Sequence, residues 1–453
     1  MLGLTMPLDM MTGLAGVSAG ARRATAHEGF FAVLRDLAEA GQARGLEGAA
    51  IEQEPAWRVT MAGLVTMRLV DRWANSRAPA VSTPTLEEIE AVQRAIIACE
   101  AGPIPNILTG IVLAVTRWWA RRSPVVLTSV LAYARLLDGD DTQLWKLAED
   151  VYWTFLAHAR TSDEFELVPN ACVRLGRCRR HLGRLADAAD AYEMAVAAAT
   201  AVGDAYNSLL ARTGAASVIR LRGDLPAAET LLDDVINDAR AMSNQHPSYF
   251  ETLARALHER AYVAYEREQF ECALTHLHEA MRVYTEDRLR DNALHDIAQV
   301  LVELGHRDAG RDALLVLRAA GSTQMQRWAA TVNLMELAAG DGQETLFNRL
   351  ARELAAAKAL PPHIAARYYL QLGDGYRRFG RAADARNALA RAIHLAEQHR
   401  FNQILIMAEQ LSAAPVLPTR DARHLTQPPT SAIERVTSFV RELREMATAG
   451  EAD

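Results

Sequence analysis

Two stretches of this chain repeat one another. Residues 174–199 read RLGRCRRHLGRLADAADAYEMAVAAA, and residues 371–396 read QLGDGYRRFGRAADARNALARAIHLA. In each, a Leu-Gly pair is followed by a second Gly seven residues on. Beyond that Gly come Ala, a large apolar residue and Ala, at offsets of five, nine and twelve. Leu175-Gly176, Gly183, Ala188, Tyr192 and Ala195 therefore lie over Leu372-Gly373, Gly380, Ala385, Leu389 and Ala392. The spacing predicts two helices packed as a hairpin. The first Gly lets the helices approach. The second supplies the left-handed residue that ends the first helix. The alanines form a small-residue seam, which the large residue between them fills.

Weaker copies follow the same plan. Their turn residues fall at Gly139, Gly223, Glu268, Gly305 and Gly340. With 183 and 380 these lie 35 to 45 residues apart. Hairpins repeated at such an interval bury their apolar faces against one another. Composition agrees: half the chain is hydrophobic but only 6% is aromatic, and Ala, Leu, Arg and Glu abound. These are residues that lose little freedom in a helix.

The pattern resembles the tetratricopeptide repeat (TPR), in the longer copies found in bacterial signalling and regulatory proteins. Tyr376 holds the family's aromatic position, whereas Arg179 departs from it. The resemblance implies an all-α, right-handed α-solenoid of TPR-like hairpins. It also implies that ligands lie in a concave groove lined by the first helix of each hairpin. Carried onto this sequence, the groove positions are Asn170, Arg177, Arg180, His181, Arg220, Arg255, His258, Tyr262, Asn292, His295 and Arg377. Arg180, Arg220 and Arg377 occupy one position in three copies. Arg367 and Asp374 fall in the same set. Arginine forks and Asn amides suit carboxylates and the main chain of an extended peptide. The expected partner is a protein or peptide, acidic or presenting a C-terminal carboxylate.

The expected organisation is a flexible lead over 1–25 and an N-terminal helical domain, or degenerate repeats, over 26–124. The solenoid covers 125–412, a Pro-rich linker 413–430, and a C-terminal amphipathic helix 431–449. In the N-terminal part, Thr85 and Glu88 make a capping box for a helix with Leu86, Ile89, Val92 and Ile96 on one face. Ser431 and Glu434 suggest the same device for the C-terminal helix. Its stripe of Ile433, Val436, Phe439, Val440, Leu443 and Met446 needs cover, because such a helix is not stable alone. Three covers are open to it: the end of the solenoid, the groove, or a partner chain in a homodimer. In the motif RWWARR at 117–122, Trp118 reads as core and Trp119 as half-exposed beneath arginines.

Several function classes are disfavoured. The formal net charge is −7, with 56 acidic and 49 basic residues, which does not suit a general nucleic-acid coat. A helix-turn-helix over 34–57 would present Glu47, Glu52 and Glu54 to DNA. No CxxC, HExxH, GxSxG or P-loop pattern occurs, so the expectation is no catalytic residue, no metal and no cofactor. His276 and His278 are two apart and point to different sides of a helix. Cys99, Cys172, Cys178 and Cys272 read as reduced residues of a cytoplasmic protein. The longest apolar run, at 107–115, is about half of a membrane span. The expected function is a non-enzymatic protein-interaction scaffold. The alternative reading is a peptide- or ligand-sensing regulator whose solenoid changes shape on binding.

Overall fold

The structure, a computed structural model, describes residues 26–75, 83–119, 121, 123–139, 142–159, 162–243, 246–357, 360–399, 401–414 and 430–449. The expected lead over 1–25 and nearly all of the linker lie outside these. Every regular element among the described residues is an α-helix. The chain divides into two compact units, Met1–Leu231 and Leu232–Asp453.

In the first unit the order is α1 (Glu28–Ala43), α2 (Gly48–Glu52), α3 (Pro55–Ala74), α4 (Leu86–Ile97), α5 (Pro103–Arg117), α6 (Pro124–Leu137), α7 (Trp145–His158), α8 (Ser162–Phe165), α9 (Val168–His181), α10 (Leu185–Val202) and α11 (Ala205–Leu221). The division falls inside α12 (Leu225–Ser243). The second unit continues with α13 (Tyr249–Glu266), α14 (Phe270–Val283), α15 (Asp287–Glu303), α16 (Arg307–Ala320), α17 (Gln324–Gly340), α18 (Glu344–Ala355), α19 (Pro362–Arg378), α20 (Ala382–His399), α21 (Asn402–Ala413) and α22 (Ser431–Ala449).

The turns end as the glycines predict. Gly183, Gly223, Gly305 and Gly380 take φ of 74°, 87°, 83° and 75°. Each closes its helix with a paired bond: Gly183 N–H reaches the Arg180 carbonyl at 3.0 Å and Arg184 N–H the Arg179 carbonyl at 2.9 Å. That is the Schellman arrangement. Glu268 adopts it too, at φ 59°, without the help of a missing Cβ. Two turn positions need correction. In the copy assigned to Gly340, that residue still belongs to α17, and Gly342 carries the positive φ of 70°. In the copy assigned to Gly139, the left-handed residue is Gln143.

The small-residue seam is present. In α10, Ala188 and Ala195 are fully buried and Tyr192 is 2% exposed. A Cβ on Gly176 would stand 2.7 Å from the Tyr192 ring, and one on Gly214 of α11 would overlap the same ring. Tyr192 thus locks α10 to the helices on both sides. Leu389 plays that part in α20, 2.6 Å from where a Cβ on Gly373 would lie.

One apolar cluster of the first unit runs from Phe30 to Val218, so α1–α5 share a core with the first hairpins. Inside it lies a charged cluster. His27, fully buried, places Nδ1 2.9 Å from Asp150 and Nε2 3.0 Å from Asp71. His158 Nε2 lies 2.6 Å from Asp71, and Gly29 N–H donates to Asp150 at 2.9 Å. Burial opposes charge on His27, but the hydrogen bonds to Asp150 and Asp71 outweigh it and raise its pKa to about 9. Asp71 is held below its ordinary value by His158 and His27 against the pull of burial. Burial wins at Asp150, which is raised.

The Thr85–Glu88 capping box forms, at 3.2 and 2.7 Å. Val92 and Ile96 of its helix are buried, but Leu86 is 72% exposed. Trp119 is half-buried as expected, but Trp118 is half-buried too rather than core, and it is the ring that an arginine covers. Trp119 packs on the core, and Arg117 lies over Trp118, 5.6 Å from the ring centroid. The cause is that α5 ends at Arg117, so helical spacing no longer sets where the two rings point.

The C-terminal helix neither ends the stack nor fills the first-helix face. α22 lies against α14 and α16, the second helices of two hairpins. Ile433, Val436 and Val440 are buried there, and Phe439 meets His278 at 4.9 Å between centroids. Its cap is Thr430, one residue before the expected Ser431: Thr430 Oγ1 accepts from Ile433 N–H at 3.4 Å.

Candidate functional site

The first helices of the hairpins carry rows of polar side chains that hydrogen-bond from one hairpin to the next. In the first unit, Arg135 of α6 donates to Asn170 Oδ1 at 3.0 Å, and Asn170 Nδ2 donates to Asn207 Oδ1 of α11 at 3.1 Å. Asn207 is fixed in turn by Asp204, which caps α11. Asn170 therefore stands in one orientation.

The same three helices are strongly basic. α6, α9 and α11 contain seven arginines and no Asp or Glu. Acids from elsewhere engage Arg174 and Arg179. Arg174 pairs with the buried Asp138 at 2.9 Å. Arg179 is buried against Glu149 at 3.1 Å, with its guanidinium 5.1 Å from the centre of the Trp153 ring. This buried pair occupies the place where the resemblance to the repeat implied an aromatic residue. Arg180 and Arg220 are half-buried near the C-terminal ends of α9 and α11, where helix dipoles favour cations. Arg177 and His181 are drawn to Trp145 instead: His181 stacks on the indole at 4.2 Å and 5°, and Arg177 lies 5.4 Å from its centre. A cavity of about 340 Å³ opens elsewhere in this unit, between Glu28 and Gly29 of α1, Trp153 of α7 and Arg184.

In the second unit the row is denser. His258 Nε2 donates to Asp296 at 2.7 Å and accepts at Nδ1 from Tyr284 at 3.1 Å. Tyr262 donates to the same Asp296 oxygen at 2.9 Å. Gln326 Nε2 donates to Asn292 at 3.2 Å. Asn333 of α17 joins His295 of α15, at 3.0 Å, to Arg367 of α19, at 2.9 Å. Gln371 Nε2 donates to Glu336 at 3.0 Å. The inter-hairpin bonds span 34 to 38 residues, one repeat each.

Asn170, His258, Tyr262, Asn292 and His295 are thus brought into rows. Arg255 and Arg377 turn to acids of their own helices, Glu251 at 2.6 Å and Asp374 at 3.7 Å. Asn333, Glu336 and Gln371 escape the sequence reading. With the turn at Gly342, Glu336 falls at the position of Gln299 and Asp374; the two-residue error at Gly340 hid it. Among the described residues no group of His, Cys, Asp or Glu has metal-binding geometry. No described helix is long and apolar enough to cross a membrane.

No protein-family model matches the chain, and no curated protein matches it. Among solved structures, the chain is similar to a Rap protein complexed with competence and sporulation factor. That likeness has 12% identity over 85% of this chain and 99% of that one, with a TM-score of 0.44. A circular tandem repeat protein with novel repeat topology aligns over 98% of each chain at 15% identity and a TM-score of 0.20. Both likenesses are loose, and neither carries weight beside the chain's own geometry. Its repeated turns, its locked seams and its one-repeat hydrogen-bond intervals make this a helical-repeat protein of stacked hairpins.

Proposed function

We propose that the chain is a non-enzymatic, TPR-type binding protein of the cytoplasm that holds a peptide or a segment of a partner protein on its first-helix face. The ligand is acidic or presents a C-terminal carboxylate. The observation that carries this reading is the composition of α6, α9 and α11, seven arginines and no acid in a chain whose net charge is −7, an excess that the pairing of Arg174 with Asp138 and of Arg179 with Glu149 does not cancel. A solvated helix face has no need of one sign, whereas a surface that steers and holds an anionic segment does. The Asn170 amide, fixed between Arg135 and Asn207, adds a preorganised contact for a peptide main chain.

The test is the double variant Arg180→Glu, Arg220→Glu. Wild type and variant are compared by pull-down and mass spectrometry, with circular dichroism to confirm that both fold. Loss of the captured partners in the variant supports the reading. Unchanged capture overturns the assignment of this face. Wild-type capture should also weaken between 50 and 500 mM salt, values chosen to span the Debye lengths over which exposed charges are screened.

A further inference from the structure

α22 fits its seat on α14 and α16 imperfectly. It belongs to no hairpin, so it can leave the two helices without opening one. Of its apolar stripe, Ile433, Val436 and Val440 are buried, Phe439 and Leu443 are half-buried, and Met446 is 62% exposed. Among the described residues no hydrogen bond or ion pair joins α22 to α14 or α16; the bonds of its cap and its polar side chains stay within the helix. Apolar contact alone is non-directional, so another helix with the same stripe can take the place.

Two polar groups make the fit worse. Thr437 comes four residues after Ile433 and three before Val440, which puts it on the buried side. Its Oγ1 is shut off from water with no hydrogen-bond partner among the described residues. An apolar residue of that shape would not incur the loss. The second group is Arg435, one turn before Phe439, whose ring meets His278 of α14 at 4.9 Å. Arg282 lies one turn after His278 on the same helix. His278 is held below its ordinary pKa by burial, by Arg282 and by Arg435 across the contact, and no acid offsets them. This rim of the seat is therefore cationic, and α22 brings it a further cation. An acid at that place would be attracted where Arg435 is repelled.

We propose that the α14–α16 face is a docking surface for an amphipathic helix of a partner protein, and that α22 is its resident, displaceable occupant. The partner helix repeats the spacing of Ile433, Val436 and Val440, with an acid in place of Arg435 and an apolar residue in place of Thr437. The surface belongs to second helices and is independent of the first-helix reading above.

The test uses the full chain and labelled peptides of residues 430–449, read by fluorescence anisotropy. One peptide has the native sequence. A matched peptide carries Arg435→Glu and Thr437→Val. A broken peptide adds Val436→Asp and Val440→Asp to the matched one. In the full chain, Val440→Asp frees the face and leaves α14 and α16 as they are. A resident helix lowers the apparent affinity by the fraction of faces that stand open. The matched peptide should therefore bind the Val440→Asp chain about tenfold or more tighter than wild type, and tighter than the native peptide does. The broken peptide should not bind. Arg282→Glu, added to Val440→Asp, should weaken the matched peptide and spare the native one. Without any peptide, Arg435→Glu in the full chain should slow hydrogen exchange over 431–449. The proposal is overturned if the matched peptide binds wild type and Val440→Asp equally, if it binds no better than the broken one, if Arg282→Glu leaves it unchanged, or if Arg435→Glu leaves exchange unchanged. Circular dichroism checks folding; should Val440→Asp not fold, the exchange of Arg435→Glu decides. A wild-type dimer in sedimentation that Val440→Asp abolishes would give the face to α22 of a second copy and overturn the partner.

Discussion

The ring of Tyr192 occupies the space that a β-carbon on Gly214 would need. The two residues lie on α10 and α11, so the contact joins one hairpin to the next. Gly214→Ala should destabilise the protein by about 1–3 kcal/mol, the usual cost of overpacking a filled core. Tyr192→Leu in the same chain should recover part of the loss, since the smaller side chain vacates the contested volume. Urea unfolding of the single and double variants measures both.

His27 gives stability a slope in alkali. Its folded pKa, about 9, lies above the unfolded value near 6.5. Its contribution is therefore complete below pH 6.5 and is lost as pH rises to about 9, amounting to about 3 kcal/mol. Asp71, held low, acts at the other end: its contribution is lost only as pH falls through the acid range. Melting temperature should thus decline between pH 6.5 and 9. Histidine-to-glutamine exchange at His27 should lower stability at pH 6.5 and flatten that decline.

Glu268 sits in a left-handed turn where five other hairpin turns, at Gly183, Gly223, Gly305, Gly342 and Gly380, have glycine at the equivalent place. An L-residue there costs about 1–2 kcal/mol, against which glycine loses about 0.4–1 kcal/mol through the freer unfolded chain. Glu268→Gly should therefore stabilise by about 0–1.6 kcal/mol. A melting temperature that drops instead would mean that the Glu268 side chain contributes more than its backbone costs.

Val440 is buried where α22 meets α14 and α16. Val440→Asp places an unpaired charge in that contact and should detach the helix. Hydrogen exchange should then show lost protection over 431–449 with α9 and α10 unchanged.

The hairpins were legible because each depends on neighbours close in sequence. A glycine that ends a helix, and a Tyr or Leu that fills the seam, announce themselves at fixed offsets. Gly340 misled because two glycines lie close together there and only the second bears the turn. The rows of the site were not legible. Whether Asn333 faces His295 or Arg367, and that it serves both, depends on residues one whole repeat away. The sequence set Arg177 and Arg180 at groove positions and Arg179 at the repeat's aromatic position, but not their partners: Arg179 is sealed against Glu149 while Arg177 spreads over Trp145. Burial and partners, which spacing does not encode, separate them.

The seat of α22 has a consequence for the order of folding. Hairpins close through contacts local in sequence and can form as soon as both helices have left the ribosome. The faces of α14 and α16 beneath α22 must wait for a helix made long afterwards. Throughout that interval an apolar strip meant for Ile433, Val436 and Val440 is open to water. The nascent protein thus passes through a stage in which its hairpins are built and one flank is still sticky, and chaperones or premature association would act on it there.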